Sequence, residues 1–119
     1  MESENLKALE TLLAMLAQGQ FLEGMEEYFA DDVVIQEVGR DPKRGKALCI
    51  EVEREILAGV AEFIQYTAHS KGAGGDLTFY EGTMEFKTTD GQHVIQQQAV
   101  VTKWQDGKIV EERYYHPNA

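Results

Sequence analysis

Residues 92–116 run QHVIQQQAVVTKWQDGKIVEERYYH, two alternating apolar and polar stretches joined by Asp106-Gly107. Asp-Gly between such runs is the strongest short-range hairpin signal, since a two-residue turn needs positive φ at both positions. It sets Gln105 opposite Lys108 and Trp104 opposite Ile109. Upstream, Asp90-Gly91 repeats the signal and sets Thr89 opposite Gln92. The C-terminal half therefore reads as an antiparallel meander: Ala61 to His69, a turn over Lys71-Gly72-Ala73-Gly74-Gly75-Asp76, then Leu77 to Thr88, Gln92 to Gln105 and Lys108 to His116.

The N-terminal half changes period. Leu6, Leu9, Leu13 and Leu16 fall on one helical stripe, with Ser3 as N-cap and Gly19 as stop. Leu22, Met25 and Phe29 mark a second short helix, which Asp31-Asp32 is expected to break. Val33 to Val38 has strand character, Gly39 to Gly45 is a loop, and Lys46 to Ala58 is a third helix with Cys49, Val52 and Ile56 on one face. Three helices, one early strand and a long meander predict a single α+β domain over residues 1–119, its antiparallel sheet covered by helices on one face.

Side chains alternate across a sheet, so the two turns sort the meander into faces. One set holds Tyr80, Gly82, Met84 and Phe86, then Ile95, Gln97, Ala99 and Val101, then Val110, Glu112, Tyr114 and His116. Being mostly apolar, it is assigned to the concave, helix-covered side. The other set includes Phe79, Trp104, Ile109 and Arg113, too much apolar surface to leave wet, and predicts a homodimer through the outer face. The alternative is that Trp104 packs beneath a terminus or loop.

Composition bounds the function. Lys plus Arg is 11 and Asp plus Glu is 21, for a net charge of −10. That balance argues against nucleic acid and against an anionic membrane surface as partners. A single cysteine, Cys49, excludes an internal disulfide, and the acidic start at Glu2 and Glu4 is unlike a basic secretory leader; both suit a cytoplasmic protein. His69 and His93 have no carboxylate at ligand spacing, so no metal is expected, and no cofactor motif is present. The glycine-rich stretch 71–75 precedes a strand instead of a helix N-terminus and reads as a hairpin, not a phosphate cradle. Glu51, Glu53 and Glu55 read as a solvated helix flank.

The order of these elements, with Tyr28-Phe29-Ala30-Asp31-Asp32-Val33 early and Asp106-Gly107-Lys108-Ile109-Val110-Glu111 late, resembles the nuclear transport factor 2-like superfamily, and within it the SnoaL-like and ketosteroid isomerase-like branch. The resemblance spans nearly the whole chain. It implies a cone-shaped fold, a curved sheet wrapped around the helices and a deep central pocket, often in a dimer. It also implies isomerase, dehydratase, cyclase or epoxide hydrolase activity, or plain binding, so fold alone does not set function. In Ile35-Gln36-Glu37, Glu37 falls on the carboxylate base of ketosteroid isomerases. The oxyanion-hole tyrosine falls near Leu12 and the oxyanion-hole acid near Val101 or Ala99, none of which can donate a hydrogen bond. Losing such donors costs several kcal/mol of catalysis, which argues against steroid-type isomerisation.

The residues themselves point to acid–base chemistry. Glu37, at the end of an apolar strand, suits a general base for a carbon acid; alternatively it reaches solvent or pairs with Arg40 or Arg44. Glu112 and His116 are the further catalytic candidates, and Tyr80, Met84, Gln97, Val101 and Tyr114 are candidate ligand contacts; alternatively Glu112, Tyr114 and His116 form a polar rim. Two readings follow. One is a pocket protein doing cofactor-independent isomerase, dehydratase or cyclase chemistry on a small hydrophobic carbonyl or polyketide-like compound. The other is a non-catalytic dimeric ligand-binding or interaction domain. Convergence of Glu37 with Glu112 and His116 on one cavity separates them.

Overall fold

A computed structural model of the chain describes residues 2–117. The elements follow in the order α1 (Glu2–Ala17), α2 (Phe21–Tyr28), β1 (Phe29–Glu37), β2 (Lys43–Arg44), α3 (Lys46–Ala58), β3 (Val60–Gly74), β4 (Leu77–Thr88), β5 (His93–Gln105) and β6 (Lys108–Tyr115). Strands form one six-stranded sheet in the order β2-β1-β6-β5-β4-β3. The expected meander is β3 to β6. To it β1 adds in parallel beside β6, so the sheet is mixed. The three helices cover one face, with α1 lying along β3 and β4.

Several local expectations give way: Ser3 lies inside α1 instead of capping it, and β2 falls within the loop expected from Gly39 to Gly45. Asp31-Asp32 does not end the second helix: the chain is already extended at Phe29, the β1/β6 register shifts between Phe29 and Val34, and both aspartates are exposed there while Phe29 and Val33 are buried. The third strand runs on through Lys71-Gly72-Ala73-Gly74, leaving only Gly75-Asp76 as turn. The ring of Phe79 from the paired strand lies over Gly72 and would sit 2.7 Å from any Cβ added there.

The register around β5 corrects the face assignment. Gln105 opposes Lys108 and Trp104 opposes Ile109 as expected, but then Lys103 opposes Glu111, with Val110 as a bulge. At the other end Thr89-Asp90-Gly91 is a three-residue loop, closed by Thr88 N–H donating to the Gln92 carbonyl at 2.8 Å, so Lys87 opposes His93. Each irregularity shifts β5 by one residue against a neighbour, which turns it over. The two shifts cancel between β4 and β6, so Tyr80, Met84 and Phe86 keep the expected inner side, as do Glu112, Tyr114 and His116, while before the bulge Ile109 takes the inner place expected of Val110. Gln96, Gln98, Val100, Thr102 and Trp104 consequently point inward, and Ile95, Gln97, Ala99 and Val101 outward.

Trp104 and Ile109 are thus not outer-face residues. Both are core, with Leu9, Leu12, Phe29, Val33, Cys49, Tyr66, Tyr80 and Val100. The Trp104 indole N–H donates to Thr78 Oγ1 at 2.8 Å, and Tyr28 packs edge-on against its ring with centroids 5.9 Å apart. A fully buried large apolar side chain contributes roughly 1.5–3 kcal/mol, so this end of the sheet is the anchor of the fold. Phe79 and Arg113 do remain on the outer face.

Candidate functional site

Away from the Trp104 end, the concave face and the helices enclose a cavity of about 290 Å³. Leu12 and Leu16 from α1, Phe21 and Met25 from α2 and Phe63 from β3 make its apolar wall. Phe21 stands edge-on to Phe63 and to Tyr66, with centroids 5.5 and 5.7 Å apart, the favoured geometry for paired aromatic rings. Ile56, 54% exposed on α3, stands at the mouth.

Glu37, Glu112 and His116 all line this cavity, as do Tyr80, Met84 and Tyr114. Parallel pairing of β1 with β6 does this: Glu37 registers with Tyr114 at the strand ends, and His116 follows two residues on. His116 Nε2 lies 3.7 Å from Glu37 Oε1. Glu37 also meets Arg40 Nη1 at 3.8 Å and Lys43 Nζ at 3.9 Å through its other oxygen, so the alternative of an ion pair is met by Arg40, with Lys43 in place of Arg44.

Glu112 lies deeper, 5% exposed. Its Oε1 accepts from Tyr114 OH at 2.7 Å and its Oε2 from Thr102 Oγ1 at 3.2 Å. Burial pushes this carboxyl above its ordinary range, the two hydroxyl donors pull back, and the like charge of Glu53 pushes up again. Tyr114 itself is held well above the ordinary phenol value, by burial first and then by Glu112. Such a carboxyl holds its proton to higher pH than a solvated glutamate does.

A second polar group sits across the sheet. Gln98 Nε2 donates to Tyr66 OH at 2.8 Å, and Tyr66 OH lies 2.6 Å from Tyr80 OH. Burial pushes Tyr66 up to about 12 and Tyr80 well above its ordinary value, so both keep their protons. Hydroxyls paired this way can orient a ligand oxygen.

Turning β5 over exchanges two candidate contacts. Gln97 and Val101 face the outer side of the sheet, and Gln96 and Gln98 reach the cavity instead. The alternating Gln96-Gln97-Gln98 run offers a glutamine to either face, so only the register could choose. Glu53 also lines the cavity and is not a solvated flank residue; burial pushes its carboxyl up, Lys43 pulls it down and Glu37 pushes it up. Its position one turn beyond buried Cys49 and Ile50 was the available signal. Tyr66, missed from the sequence, reaches the Phe63 face only because the register shifts between Phe63 and Gln65; strict alternation puts the two on opposite faces. Cys49 is buried core, its thiol pushed up by burial, and does not line the cavity. Among the described residues no three His, Cys, Asp or Glu side chains are grouped to hold a metal ion.

Solved structures share this architecture. An LEH-like epoxide hydrolase of M. tuberculosis superposes with a TM-score of 0.82 at 24% identity, covering 98% of this chain and 85% of its own. A protein of Mesorhizobium loti assigned as a SnoaL-like polyketide cyclase gives 0.81 at 20% identity, over 92% of this chain and 97% of the other. An NTF2-like protein of Burkholderia pseudomallei gives 0.81 at 16% identity, over 95% and 90%. At these identities the likeness concerns the fold. No curated protein matches the sequence significantly. The SnoaL-like domain model matches residues 9–112, nearly every element that builds the sheet and the cavity, and the chain therefore belongs to the SnoaL-like family.

Proposed function

We propose that the cavity binds a small hydrophobic carbonyl or polyketide-like compound and moves protons on it without a cofactor, as an isomerase, dehydratase or cyclase does. Glu37 is the base, Glu112 and His116 give or take protons, and Tyr80 and Tyr114 orient the ligand oxygen. The observation that carries this reading is the 3.7 Å approach of His116 to Glu37 on the wall that also presents Glu112 and Tyr114. A volume of about 290 Å³ lies near the lower end for ligand sites and fits a compact substrate. The M. tuberculosis relative's hydrolase name and the M. loti relative's cyclase name agree with chemistry on a small organic molecule.

The test is deuterium exchange at the acidic C–H of a panel of small cyclic ketones and β-dicarbonyls in heavy water, followed by NMR. Wild type is expected to exchange at least one of them, and Glu37→Gln to lose that exchange. A second reading, binding without turnover, draws support from the apolar wall that Leu12, Leu16, Phe21, Met25 and Phe63 give the cavity. Saturable binding with no exchange by wild type selects it.

The same proposal places a second copy of the chain against the outer sheet face. Phe79 at 43%, Ile95 at 61% and Tyr115 at 42% exposure are large apolar side chains there, with Arg113 among them. The contact set is thus Phe79, Ile95, Tyr115 and Arg113, without Trp104 or Ile109.

A further inference from the structure

We propose that Gln98, Tyr66 and Tyr80 together form the hydrogen-donating subsite of the cavity, which receives the carbonyl oxygen of the ligand. This rests on the small carbonyl ligand proposed above and adds Tyr66 and Gln98 to the residues that touch it.

The inward turn of β5 brings Gln98 against Tyr66 of β3, which in turn meets Tyr80 of β4. All three are more than nine-tenths buried, and all three line the cavity. A carboxamide carries two hydrogens on nitrogen and each phenol one on oxygen, so the group holds four. Its two contacts, at 2.8 Å and 2.6 Å, use one hydrogen each. Two are left over. With the amide nitrogen on Tyr66, as the structure has it, the remainder is one amide hydrogen and one phenol hydrogen. Turning the amide end for end spends both phenol hydrogens and frees both on nitrogen, so the surplus is the same.

Among the described residues no other oxygen accepts from any of the three. Burial first and mutual contact second set the two phenols, and the charge of Glu112 comes third, so its carboxyl lies near them. Its oxygens nonetheless accept from Tyr114 and Thr102. A buried donor left without an acceptor is costly, so the surplus is a demand for an oxygen. The other carboxylates on the wall, Glu37 and Glu53, offer no hydrogen when ionised. A ligand carbonyl is therefore served at the Tyr66–Tyr80 end of the cavity and not by the carboxylates.

A site built to hydrogen-bond an oxygen discriminates against the analogue that lacks it. Acetophenone and α-methylstyrene are such a pair, alike in shape and differing by C=O against C=CH2. Their affinities for the full chain are measured by NMR titration, the ketone carrying carbon-13 at its carbonyl. The ratio of the two cancels shape, and its change between variants reads the donors. Gln98→Leu leaves one hydrogen over, that of a phenol. Gln98→Glu, once ionised, leaves none, because its carboxylate takes the Tyr66 hydrogen and Tyr66 takes that of Tyr80. The ratio is expected to turn against the ketone by about tenfold in Gln98→Glu, followed upward in pH until it stops changing, and by less in Gln98→Leu. In wild type the bound carbonyl carbon is expected downfield of its position in hydrocarbon solvent, and it should move back in the same order. A wild-type carbonyl at its hydrocarbon position overturns the proposal whatever the variants do, as does a wild type that neither probe saturates. An unchanged ratio in both variants overturns it, and so do equal losses in the two, because the phenol hydrogens then reach no ligand. Ketone selection lost in Gln98→Glu, with no exchange of any carbon acid by wild type, leaves the subsite standing and sinks the base role. Exchange abolished by Glu37→Gln, with an unchanged ratio, does the reverse.

Discussion

Glu112 shows how a single buried carboxyl ties the site to stability. With its folded form pushed upward by burial, it holds its proton to higher pH than in the unfolded chain, where a glutamate titrates near about 4.3. Between those two values the folded state binds more protons, so stability falls as pH rises through that window. Glu112→Gln removes the titrating group yet can still accept from Tyr114 and donate to Thr102 Oγ1. The gap in unfolding free energy between variant and wild type, followed by denaturant titration from about pH 4 toward neutrality, is therefore expected to move in the variant's favour. A gap that stays constant with pH means that folding does not perturb Glu112. Tyr66 makes a different kind of demand. Its hydroxyl serves both Gln98 and Tyr80, so Tyr66→Phe strands a buried amide donor and a phenol at once. A loss of about 1–3 kcal/mol is expected from urea unfolding. Adding Gln98→Leu to that background should cost less than Gln98→Leu alone, because its donor no longer has a partner to lose.

Hairpins decide the architecture at the next scale, and they also explain what the sequence conceals. The Asp106-Gly107 turn has φ of 53° and 78° at its two residues, as a two-residue hairpin between right-twisted strands requires. Nothing lies within 4 Å of a Cβ added at Gly107, so Gly107→Ala tests the backbone alone. A left-handed conformation costs a residue with a Cβ roughly 1–2 kcal/mol, and thermal unfolding should show a loss of about that size, with Gly107→Asn falling between alanine and wild type. Element order, the helical stripe of Leu6, Leu9, Leu13 and Leu16, and the turn at 106–107 were all legible because each rests on local periodicity or local φ. The face of β5 was not. It hung on one bulged residue, Val110, and on one extra residue in the loop at 89–91, and neither leaves a mark that period-two alternation can detect. Because the two shifts cancel between β4 and β6, Tyr80, Met84, Glu112, Tyr114 and His116 reached the cavity as expected while Gln97 and Val101 did not. Parallel docking of β1 beside β6, which brings Glu37 to His116, joins residues some eighty positions apart and had no local signal.

For the whole molecule, the inversion of β5 changes what the outer face offers a partner. Trp104 and Ile109 leave it for the core, while Ile95 joins Phe79 and Tyr115 on it. These side chains lie on neighbouring strands β4, β5 and β6, with Phe79 level with Val101, Tyr115 with Ala99 and Ile95 with Glu85, so the apolar positions are spread along the sheet instead of clustered at one turn. Each copy carries a net charge of −10, and bringing two together costs repulsion that dissolved salt screens over about 10 Å at 0.1 M. A dimer held by apolar contact against that repulsion should tighten as salt is added, whereas one held by ion pairs through Arg113 should loosen. Sedimentation equilibrium at low and moderate ionic strength reads the difference directly. Wild type is expected to shift toward dimer with salt, and Phe79→Lys combined with Ile95→Lys to remain monomeric throughout, with thermal unfolding reported alongside to show that the exposed substitutions leave the fold intact. A wild type that stays monomeric under every condition removes the second copy from this face. A dimer that survives both lysines moves the contact elsewhere on the surface.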